Sequence, residues 1–242
     1  MKALILAAGL GTRLRPLTNN IPKVLVPIGR KPLLAYHFDS LSKFGINDIL
    51  INTHYLPGQV RKFVKNYIKH QPKIHIKITF EETLLGSAGT LKKNQNFFKG
   101  ENHFLVIYGD NFTNINYQKL LKLHLAKKGV CTIACYWENQ PETKGIIIFD
   151  KMKQITKFIE KPKTEQITTN YANAGIYIFN KKIFNYLNKL NYSPLDFGYH
   201  IFPYLLTNQQ LLFAYLMKEF FIDIGTKETY DFAQKKVGQL KF

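Results

Sequence analysis

Cysteine and negative charge are both scarce in this chain of 242 residues. Its two cysteines, Cys131 and Cys135, stand in an apolar segment without partners for a metal site, which favours a reducing cytoplasm. Aspartate and glutamate number 16 against 34 lysines and arginines, giving a formal net charge of +18. Because the lysines are spread over the whole length, we interpret this charge as a composition bias and expect no nucleic acid partner.

Long hydrophobic runs and metal-spaced histidines are also missing. No stretch approaches the ~20 apolar residues that a membrane-spanning helix needs, and Ala3–Ala8 is too short for a signal peptide. The 7 histidines are scattered rather than placed at metal-ligand spacing. With 45% hydrophobic residues the chain can build an ordinary globular core, in which Trp137 and the other aromatic side chains are expected to be buried.

Strand and helix patterns alternate through the first part of the chain. This alternation predicts an α/β fold with a Rossmann-like, doubly wound, mainly parallel sheet, whose ligands bind beyond the carboxyl ends of the strands. The predicted strands are Met1–Ala8, Asp48–Thr53, Ile74–Phe80, His103–Tyr108 and Val130–Trp137, and the predicted helices are Leu33–Phe44, Gly58–Lys69, Ser87–Asn96 and Tyr117–Lys128.

The last part of the chain has shorter strands broken by turns, which indicates a small antiparallel portion. The predicted strands there are Gly145–Phe149, Ile155–Ile159 and Gly175–Phe179, followed by predicted helices at Asn180–Leu190, Phe197–Leu206 and Thr226–Leu240. No linker interrupts the chain, so we expect a single domain over residues 1–242 with one part at about 1–140 and another at about 141–242.

A glycine loop follows the first strand and carries the most informative residues. Gly9 and Gly11 allow a tight turn that brings backbone N–H groups close to a polyphosphate. Arg13 adds a forked cationic donor and Lys23 a mobile point charge. The run lacks the third glycine of a dinucleotide fingerprint and the Gly-Lys-Ser/Thr of a Walker loop, so it predicts a phosphate-binding loop of another kind.

Two aspartates follow predicted strands beside a glycine. Asp110 stands in Tyr108-Gly-Asp110 and Asp223 in Phe221-Ile-Asp-Ile-Gly225. A pair of carboxylates at strand ends can share a hard divalent cation with substrate phosphates, as Mg²⁺ usually requires. The alternative is that each aspartate caps a turn, since spacing alone does not show that the two meet.

These motifs together resemble those of the sugar-1-phosphate nucleotidyltransferases, and most closely the short mannose- and heptose-1-phosphate guanylyltransferases. The resemblance covers nearly the whole chain, with its motifs in the order of the family. The matching runs are Gly9-Leu-Gly-Thr-Arg13 with Pro16-Leu-Thr18 and Pro22-Lys23, Leu85-Gly-Ser-Ala-Gly89, Gly109-Asp110, Glu160-Lys-Pro162, Asn173-Ala-Gly-Ile-Tyr177 and Asp223-Ile-Gly225.

The resemblance implies the roles of individual residues. Arg13 would stabilise the leaving pyrophosphate, and Lys23 and Lys161 would orient phosphates. Asp110 and Asp223 would hold Mg²⁺, and these two with Arg13 and Lys23 would form the catalytic set. The implied nucleotide-binding residues are Leu6, Ala8, Gly9, Gly11, Thr12, Arg13, Glu81, Gly86 and Ser87, in the part at about 1–140, and the implied sugar-phosphate residues are Gly145, Glu160, Lys161 and Asn173, in the part at about 141–242.

The implied reaction is transfer of a nucleoside monophosphate to a sugar 1-phosphate, for surface-glycan synthesis such as lipopolysaccharide or capsule, by a cytoplasmic monomer or homodimer. Glu81 stands where thymidylyl relatives carry glutamine, and its oxygens suit the N1–H and amino group of guanine, so GTP is favoured. Thr83-Leu84 and Lys144 depart from the family pattern. A thymidylyl-, uridylyl- or cytidylyltransferase, a phosphocholine acceptor and a non-catalytic nucleotide-sugar sensor remain alternatives.

Overall fold

The structure, a computed structural model that describes residues 1–240, contains two compact units built from separate stretches of the chain. The first unit combines Met1–Leu84, Ile107–Ile115 and the chain from Glu219 onward. The second unit combines Leu85–Val106 and Asn116–Lys218. The units therefore differ from a simple division near residue 140, because the chain leaves the first unit and returns to it more than once.

The elements follow one another in the order strand, turn and helix typical of an α/β chain. The strands are β1 (Ala3–Leu6), β2 (Pro27–Ile28), β3 (Lys31–Pro32), β4 (Asp48–Thr53), β5 (His75–Phe80), β6 (His103–Tyr108), β7 (Asn111–Thr113), β8 (Cys131–Trp137), β9 (Gly145–Phe149), β10 (Ile155–Glu160), β11 (Tyr171–Asn180), β12 (Leu212–Leu216) and β13 (Phe221–Asp223). The α-helices are α1 (Leu33–Lys43), α2 (Pro57–Lys69), α3 (Ser87–Lys93), α4 (Tyr117–Lys127), α5 (Ile183–Leu187), α6 (Phe202–Thr207) and α7 (Lys227–Lys236). A π-helix covers Phe197–Ile201, and short 3₁₀ turns cover Thr12–Leu14, Lys23–Leu25, Gln95–Phe98, Pro141–Thr143, Thr164–Gln166 and Val237–Gln239.

Parallel strands form the sheet of the first unit. β1 pairs in parallel with β4, Ala3 opposite Ile49, and β4 pairs in parallel with β5, Asp48 opposite His75. Residues 3–5 of β1 and residues 49–51 of β4 are buried and apolar, as expected for strands covered on both faces. The carboxyl ends of these strands lie at one edge, so the residues that follow them are brought together there.

The core of the first unit joins the beginning of the chain to its last described helix. Leu14 and Val26 from the first stretch pack in one buried cluster with Phe112, Ile224 and Ala233. The side chain of Gln234 on α7 donates to the carbonyl of Pro27 at 2.6 Å and accepts from the Gly29 N–H at 2.8 Å. Apolar burial and these backbone bonds together fix α7 against the segment that follows the glycine loop.

The second unit has mostly antiparallel pairing and an aromatic core. β11 pairs antiparallel with β8 and β9, β10 pairs antiparallel with β9, and β12 runs parallel to β8. Rings pack edge-to-face or offset through its interior, for example Phe98 against Phe104 at 4.4 Å between centroids and Phe179 against Phe197 at 5.2 Å. Each such contact adds roughly 0.5–1.5 kcal/mol beyond apolar burial.

The predicted α/β class is confirmed, with parallel strands in the first unit and an antiparallel portion in the second. Two local predictions were wrong. The helix expected at Asn180–Leu190 is limited to α5, because Asn180 still belongs to β11. Trp137 is not a core residue, since it ends β8 with 61% of its surface exposed and its ring edge-on to Tyr171.

Candidate functional site

The glycine loop leaves β1 and turns across the edge of the first unit. Gly11 has a φ of +66°, and a β-carbon there would lie 3.1 Å from Thr18 Cγ2. The Thr18 hydroxyl donates to the Gly11 carbonyl at 2.7 Å, and the following residues form the 3₁₀ turn that carries Arg13. Gly9, Thr12 and Arg13 are exposed, whereas Leu6 and Ala8 lead into the loop from the buried strand. Thr18 therefore holds the backbone of the loop on its protein side, while Gly9, Thr12 and Arg13 remain exposed to solvent.

A short antiparallel ladder brings Asp110 and Asp223 together within the first unit. β7 pairs with β13 so that Asn111 stands opposite Asp223, and the Ile224 N–H donates to the Asp110 carbonyl at 2.9 Å. The interpretation of each aspartate as an isolated turn cap is therefore insufficient. Two carboxylates from distant parts of the chain share one location.

Lys23 lies against both carboxylates. Its Nζ is 2.6 Å from Asp110 Oδ2 and 3.8 Å from Asp223 Oδ1. The Lys23 side chain is 10% exposed and the two aspartate side chains are 29% and 24% exposed, so the three charges are only partly screened by water. A cation between two anions offsets the repulsion that the carboxylates would otherwise exert on each other.

Arg13 approaches the same place from the loop. A β-carbon on Gly225 would lie 3.3 Å from Arg13 Nη2 and 3.3 Å from Asp223 Oδ2. The guanidinium and the carboxylate therefore both pack on the bare backbone of Gly225, and a side chain there would press on both. The first unit thus brings together Arg13, Lys23, Asp110 and Asp223, the four predicted catalytic residues.

The backbone of Gly109, just before Asp110, is held by Leu6 and by His37, a residue that sequence reasoning missed. The Gly109 N–H donates to the Leu6 carbonyl at 2.8 Å, and a β-carbon on Gly109 would lie 2.9 Å from that same oxygen. His37 Nε2 donates to the Gly109 carbonyl at 3.1 Å. Burial lowers the pKa of His37 to about 4, so the ring is neutral at pH 7 and acts as a fixed donor. The only signal in the sequence is a lone histidine in the apolar helix α1.

Glu81 follows β5 as expected, but its side chain is directed inward. The residue is 1% exposed, and its Oε1 accepts from Asn52 Nδ2 at 2.9 Å. Asn52 Oδ1 in turn accepts from the Ala7 N–H at 2.7 Å. Glu81 is therefore not a solvated charge at the strand end, whereas its neighbour Glu82 is exposed. Recognition of guanine by Glu81 stays a prediction, and Asn52 was missed.

Gly86 and Ser87, predicted to bind nucleotide, belong to the second unit. A β-carbon on Gly86 would lie 2.4 Å from the Leu195 carbonyl oxygen. The Ser87 hydroxyl donates to Asp196 Oδ2 at 2.7 Å and accepts from the Phe197 N–H at 2.9 Å. Asp196 also accepts from the Gly198 N–H at 2.8 Å and so caps the π-helix. Sequence reasoning missed Asp196, whose signal is an aspartate immediately before a buried helical turn.

Glu160 and Gly145 meet across the β9–β10 ladder of the second unit. A β-carbon on Gly145 would lie 2.5 Å from Glu160 Oε2, and one on Gly198 would lie 2.4 Å from the same atom. Burial raises the pKa of Glu160, and the negative charge of Asp196 raises it further, while Lys161 and Lys144 act in the opposite direction. The carboxylate therefore fits only because two glycines leave room for it.

The other predicted sugar-phosphate residues, Lys161 and Asn173, also belong to the second unit. Lys161 follows Glu160 with a φ of +47°, its N–H donates to the Lys144 carbonyl at 3.0 Å, and its side chain is exposed. Asn173 sits at an irregularity of β11, where its Nδ2 donates to the Tyr177 hydroxyl at 2.8 Å and its Oδ1 accepts from the Gly175 N–H at 2.9 Å. The Asn173 amide is thereby held in one orientation.

Residues 1–240 lack the features of two other kinds of site. No helix in this range is long and apolar enough to cross a membrane. Within the same range no three histidine, cysteine, aspartate or glutamate side chains form a metal-holding group. Cys131 and Cys135 are buried free thiols, and burial raises the pKa of both, which makes them poor nucleophiles.

Comparison with curated proteins identifies related sequences. Mannose-1-phosphate guanyltransferase of Saccharomyces cerevisiae and mannose-1-phosphate guanylyltransferase catalytic subunit beta of Dictyostelium discoideum are each 32% identical to this chain over 233 residues. The alignments cover 95% of this chain, but 63% and 62% of the two relatives. The chain therefore spans a little under two thirds of the length of the curated relatives it matches.

Solved structures share the fold. "Putative Glucose-1-Phosphate Thymidylyltransferase" from Bacillus anthracis, in complex with a sucrose, superposes with a TM-score of 0.89 at 26% identity, covering 100% of this chain and 97% of its own. HddC from Yersinia pseudotuberculosis, complexed with GMP-PN, gives a TM-score of 0.78 at 26% identity, with 98% and 99% covered. The model of the nucleotidyl transferase family matches residues 2–239. Together with the charged cluster of the first unit, this match over nearly the whole sequence establishes that the chain belongs to the nucleotidyl transferase family.

Proposed function

We propose that this protein transfers a nucleoside monophosphate from a nucleoside triphosphate to a sugar 1-phosphate, yielding a nucleoside-diphosphate sugar and pyrophosphate. GTP is the favoured triphosphate, and mannose 1-phosphate or a heptose 1-phosphate the favoured acceptor. The observation that carries the proposal is the cluster of Arg13 and Lys23 with Asp110 and Asp223, in which two cations of a kind suited to phosphate lie beside two carboxylates.

The reaction needs no protein nucleophile. A phosphate oxygen of the sugar 1-phosphate forms a new bond to the α-phosphorus, and the bond from that phosphorus to the bridging oxygen of the β-phosphate breaks. The electron pair leaves with pyrophosphate. Arg13, on the exposed loop, is suited to the charge that develops on this leaving group, because a guanidinium donates two parallel hydrogen bonds to phosphate oxygens.

The donor set of the first unit suits Mg²⁺. Mg²⁺ prefers oxygen ligands and is usually held by one or two carboxylates together with substrate phosphates. Asp223 at the end of β13 and Asp110 directly before β7 supply two neighbouring carboxylates, and the lysine ammonium beside both is consistent with a location that favours positive charge. When bound, the ion would neutralise phosphate charge, while Lys23 would turn to a phosphate oxygen.

The second unit offers a place for the sugar phosphate. The Glu160 carboxylate can accept two hydroxyl hydrogen bonds, and the exposed Lys161 ammonium can neutralise a phosphate monoester. The favoured substrate pair draws on the two curated relatives, which are named as mannose-1-phosphate guanylyltransferases, and on the neighbour complexed with GMP-PN. The match to part of those relatives supports the pair as a proposal.

The test is pyrophosphate release with Mg²⁺ from GTP, dTTP, UTP and CTP, each combined with mannose-, heptose- and glucose-1-phosphate and with phosphocholine. We expect release with GTP and one sugar 1-phosphate, and its loss when EDTA removes divalent ions. Mass spectrometry of the product separates transfer from simple hydrolysis. Release with GTP in the absence of every acceptor would contradict the proposal.

A thymidylyltransferase is the second candidate, favoured by the TM-score of 0.89 to the Bacillus anthracis structure named for that activity. The same grid separates the two, since this candidate predicts release with dTTP and glucose 1-phosphate. A non-catalytic sensor would bind the nucleotide sugar and release no pyrophosphate with any pair.

A further inference from the structure

Two segments of the second unit, residues 85–89 and residues 195–198, are joined by backbone hydrogen bonds. The Leu195 N–H donates to the Leu85 carbonyl at 2.8 Å, and the Leu195 carbonyl accepts from the Gly89 N–H at 2.9 Å. The first segment leads into α3, and the second leads into the π-helix. The residues at the start of these two helices are therefore held against each other.

The Ser87 hydroxyl and the Asp196 carboxylate add a side-chain link between the two segments. Ser87 donates to Asp196 Oδ2 at 2.7 Å and accepts from the Phe197 N–H at 2.9 Å. Asp196 Oδ1 accepts from the N–H groups of Gly198 at 2.8 Å and Tyr199 at 3.2 Å. A hydroxyl has one proton to donate, and Ser87 gives it to Asp196. The Ser87 hydroxyl therefore has no proton left for a phosphate oxygen or a base carbonyl.

The bare backbone of Gly198 lies beside two carboxylates. A β-carbon built on Gly198 would lie 2.4 Å from Glu160 Oε2 and 3.4 Å from Asp196 Oδ1. Burial raises the pKa of Glu160, and the negative charge of Asp196 raises it further, which agrees with this proximity. Because Asp196 holds the Gly198 N–H, it also holds the surface on which the Glu160 carboxylate lies.

We propose that Asp196 and Ser87 are a pair of positioning residues for the sugar phosphate, which hold Gly198 and thereby fix the place of the Glu160 carboxylate. The inference rests on the proposed function, in which Glu160 accepts hydrogen bonds from sugar hydroxyls. Such bonds form at about 2.5–3.0 Å between oxygens, so the place of the carboxylate decides how well it binds a sugar. The Ser87 hydroxyl then serves the sugar phosphate, although the sequence predicted Ser87 as a nucleotide-binding residue.

Removing the side-chain link tests the proposal. In Asp196→Ala, we expect KM for the sugar 1-phosphate to rise roughly tenfold, the factor for one hydrogen bond to a charged group, while KM for the triphosphate changes less than about twofold. Ser87→Ala removes one hydroxyl and leaves the cap, and should raise the same KM about three- to tenfold. Asp196→Asn keeps an acceptor for the Gly198 N–H, so its effect should be smaller than that of Asp196→Ala.

Asn116→Ala is the matched control, because Asn116 caps α4 of the same unit by accepting from the Lys119 N–H at 3.0 Å. Both alanine variants lose a side-chain cap, so thermal unfolding should show a comparable loss of stability. Only Asp196→Ala should change KM for the sugar phosphate. Equal changes of that KM in both variants would mean a general loosening of the unit and would overturn the proposal.

A double variant tests whether Asp196 acts through Glu160. Residues that act through one another are not additive. In a Glu160→Gln background, Asp196→Ala should therefore change the affinity for the sugar phosphate by less than about twofold. Full additivity of the two substitutions would overturn the proposal. A larger effect of Ser87→Ala on the triphosphate than on the sugar phosphate would also overturn it.

Calorimetric dissociation constants of mannose-, heptose- and glucose-1-phosphate separate this inference from the proposed function. A wild-type chain that neither binds any of them nor releases pyrophosphate would overturn both. A wild-type chain that binds one of them but releases no pyrophosphate with any triphosphate would overturn the proposed function alone, and the variants are then compared by dissociation constant. Pyrophosphate release by the wild type, with sugar-phosphate affinity unchanged in Asp196→Ala and Ser87→Ala, would overturn this inference alone.

Discussion

The two units hold their partly buried carboxylates in different ways. In the first unit, Asp110 and Asp223 lie against the Lys23 ammonium, so opposite charge stabilises them. In the second unit, Glu160 lies between the bare backbones of Gly145 and Gly198, with Asp196 raising its pKa. The first arrangement depends on charge and the second on shape. The first unit should therefore be most sensitive to loss of a charge, and the second to the addition of a single methyl group.

The largest effect is expected from removing one charge in the first unit. Asp110→Asn and Asp223→Asn keep the shape of the side chain and remove one anion from the proposed metal site. Since a bound metal ion supplies several kcal/mol of charge stabilisation, we expect kcat/KM to fall roughly 10³-fold. Steady-state rates with Mg²⁺ measure the loss.

Asp231→Asn is the control for this pair, because Asp231 is an exposed aspartate on α7 of the same unit and should leave the rate unchanged. Near-normal rates in Asp110→Asn and Asp223→Asn would show that the carboxylates do not hold the ion. The proposed dependence of the first unit on charge would then be wrong.

An intermediate effect is expected from adding a methyl group in the second unit. In Gly198→Ala the new β-carbon would lie 2.4 Å from Glu160 Oε2, which is the end of a flexible side chain. Glu160 therefore moves while the backbone stays in place. We expect KM for the sugar phosphate to rise about 10- to 100-fold, the usual cost of losing a hydrogen bond to a charged group, while KM for the triphosphate changes little.

Gly58→Ala is the matched control, because no atom lies within 4 Å of a β-carbon at that position in α2. Equal changes in KM for both substrates of Gly198→Ala, or a large loss of thermal stability, would show that the glycine supports the unit as a whole.

The smallest effect is a change in the pH dependence of stability through Glu160. Its pKa is raised above the ordinary 4.5, mainly by burial. Between the ordinary and the raised value, the folded chain binds the proton more tightly than the unfolded chain, so the free energy of unfolding falls as pH rises through that window. Glu160→Gln removes this loss and should stabilise the fold more at pH 7 than at pH 4.

Chemical unfolding at both pH values measures the difference, with Glu142→Gln on an exposed turn as the control. A stability gain that is the same at pH 4 and pH 7 would mean that the charge of Glu160 is not the cause. Loss of sugar-phosphate binding in the same variant would show that the carboxylate is kept for recognition at a cost in stability.

Local patterns in the sequence predicted much of the fold. β4 and β9 have the predicted bounds, because continuous buried apolar runs flanked by polar turns define a strand well. The short strands β7 and β13 were missed, since three residues carry no periodicity. The β7–β13 ladder places Asp223 beside Asp110. The sequence therefore indicated both carboxylates but did not show that they lie close together.

The residues missed at the candidate site share a physical reason. Asn52, His37 and Asp196 act through contacts with residues far away in the chain, and only Asp196 has a local signal, its place directly before a helical turn. For Glu81 the sequence predicted the position after β5 but not the direction of the side chain, which is turned inward and bonded to Asn52. Hydrogen-bond partners across strands are decided by the fold and are not visible in spacing.

The order in which the chain is synthesised has a consequence for when the candidate site of the first unit is complete. The first unit needs its third stretch, from Glu219 onward, to give β7 its partner and to complete the core with Ile224 and Ala233. All stretches of the second unit have left the ribosome before that point. The second unit can therefore fold first, while the first waits for contacts between the two ends of the chain, which are slow to form. A premature stop before Glu219 would leave the lysine of the site without one of its two carboxylates and the N-terminal strands without the helix that covers them.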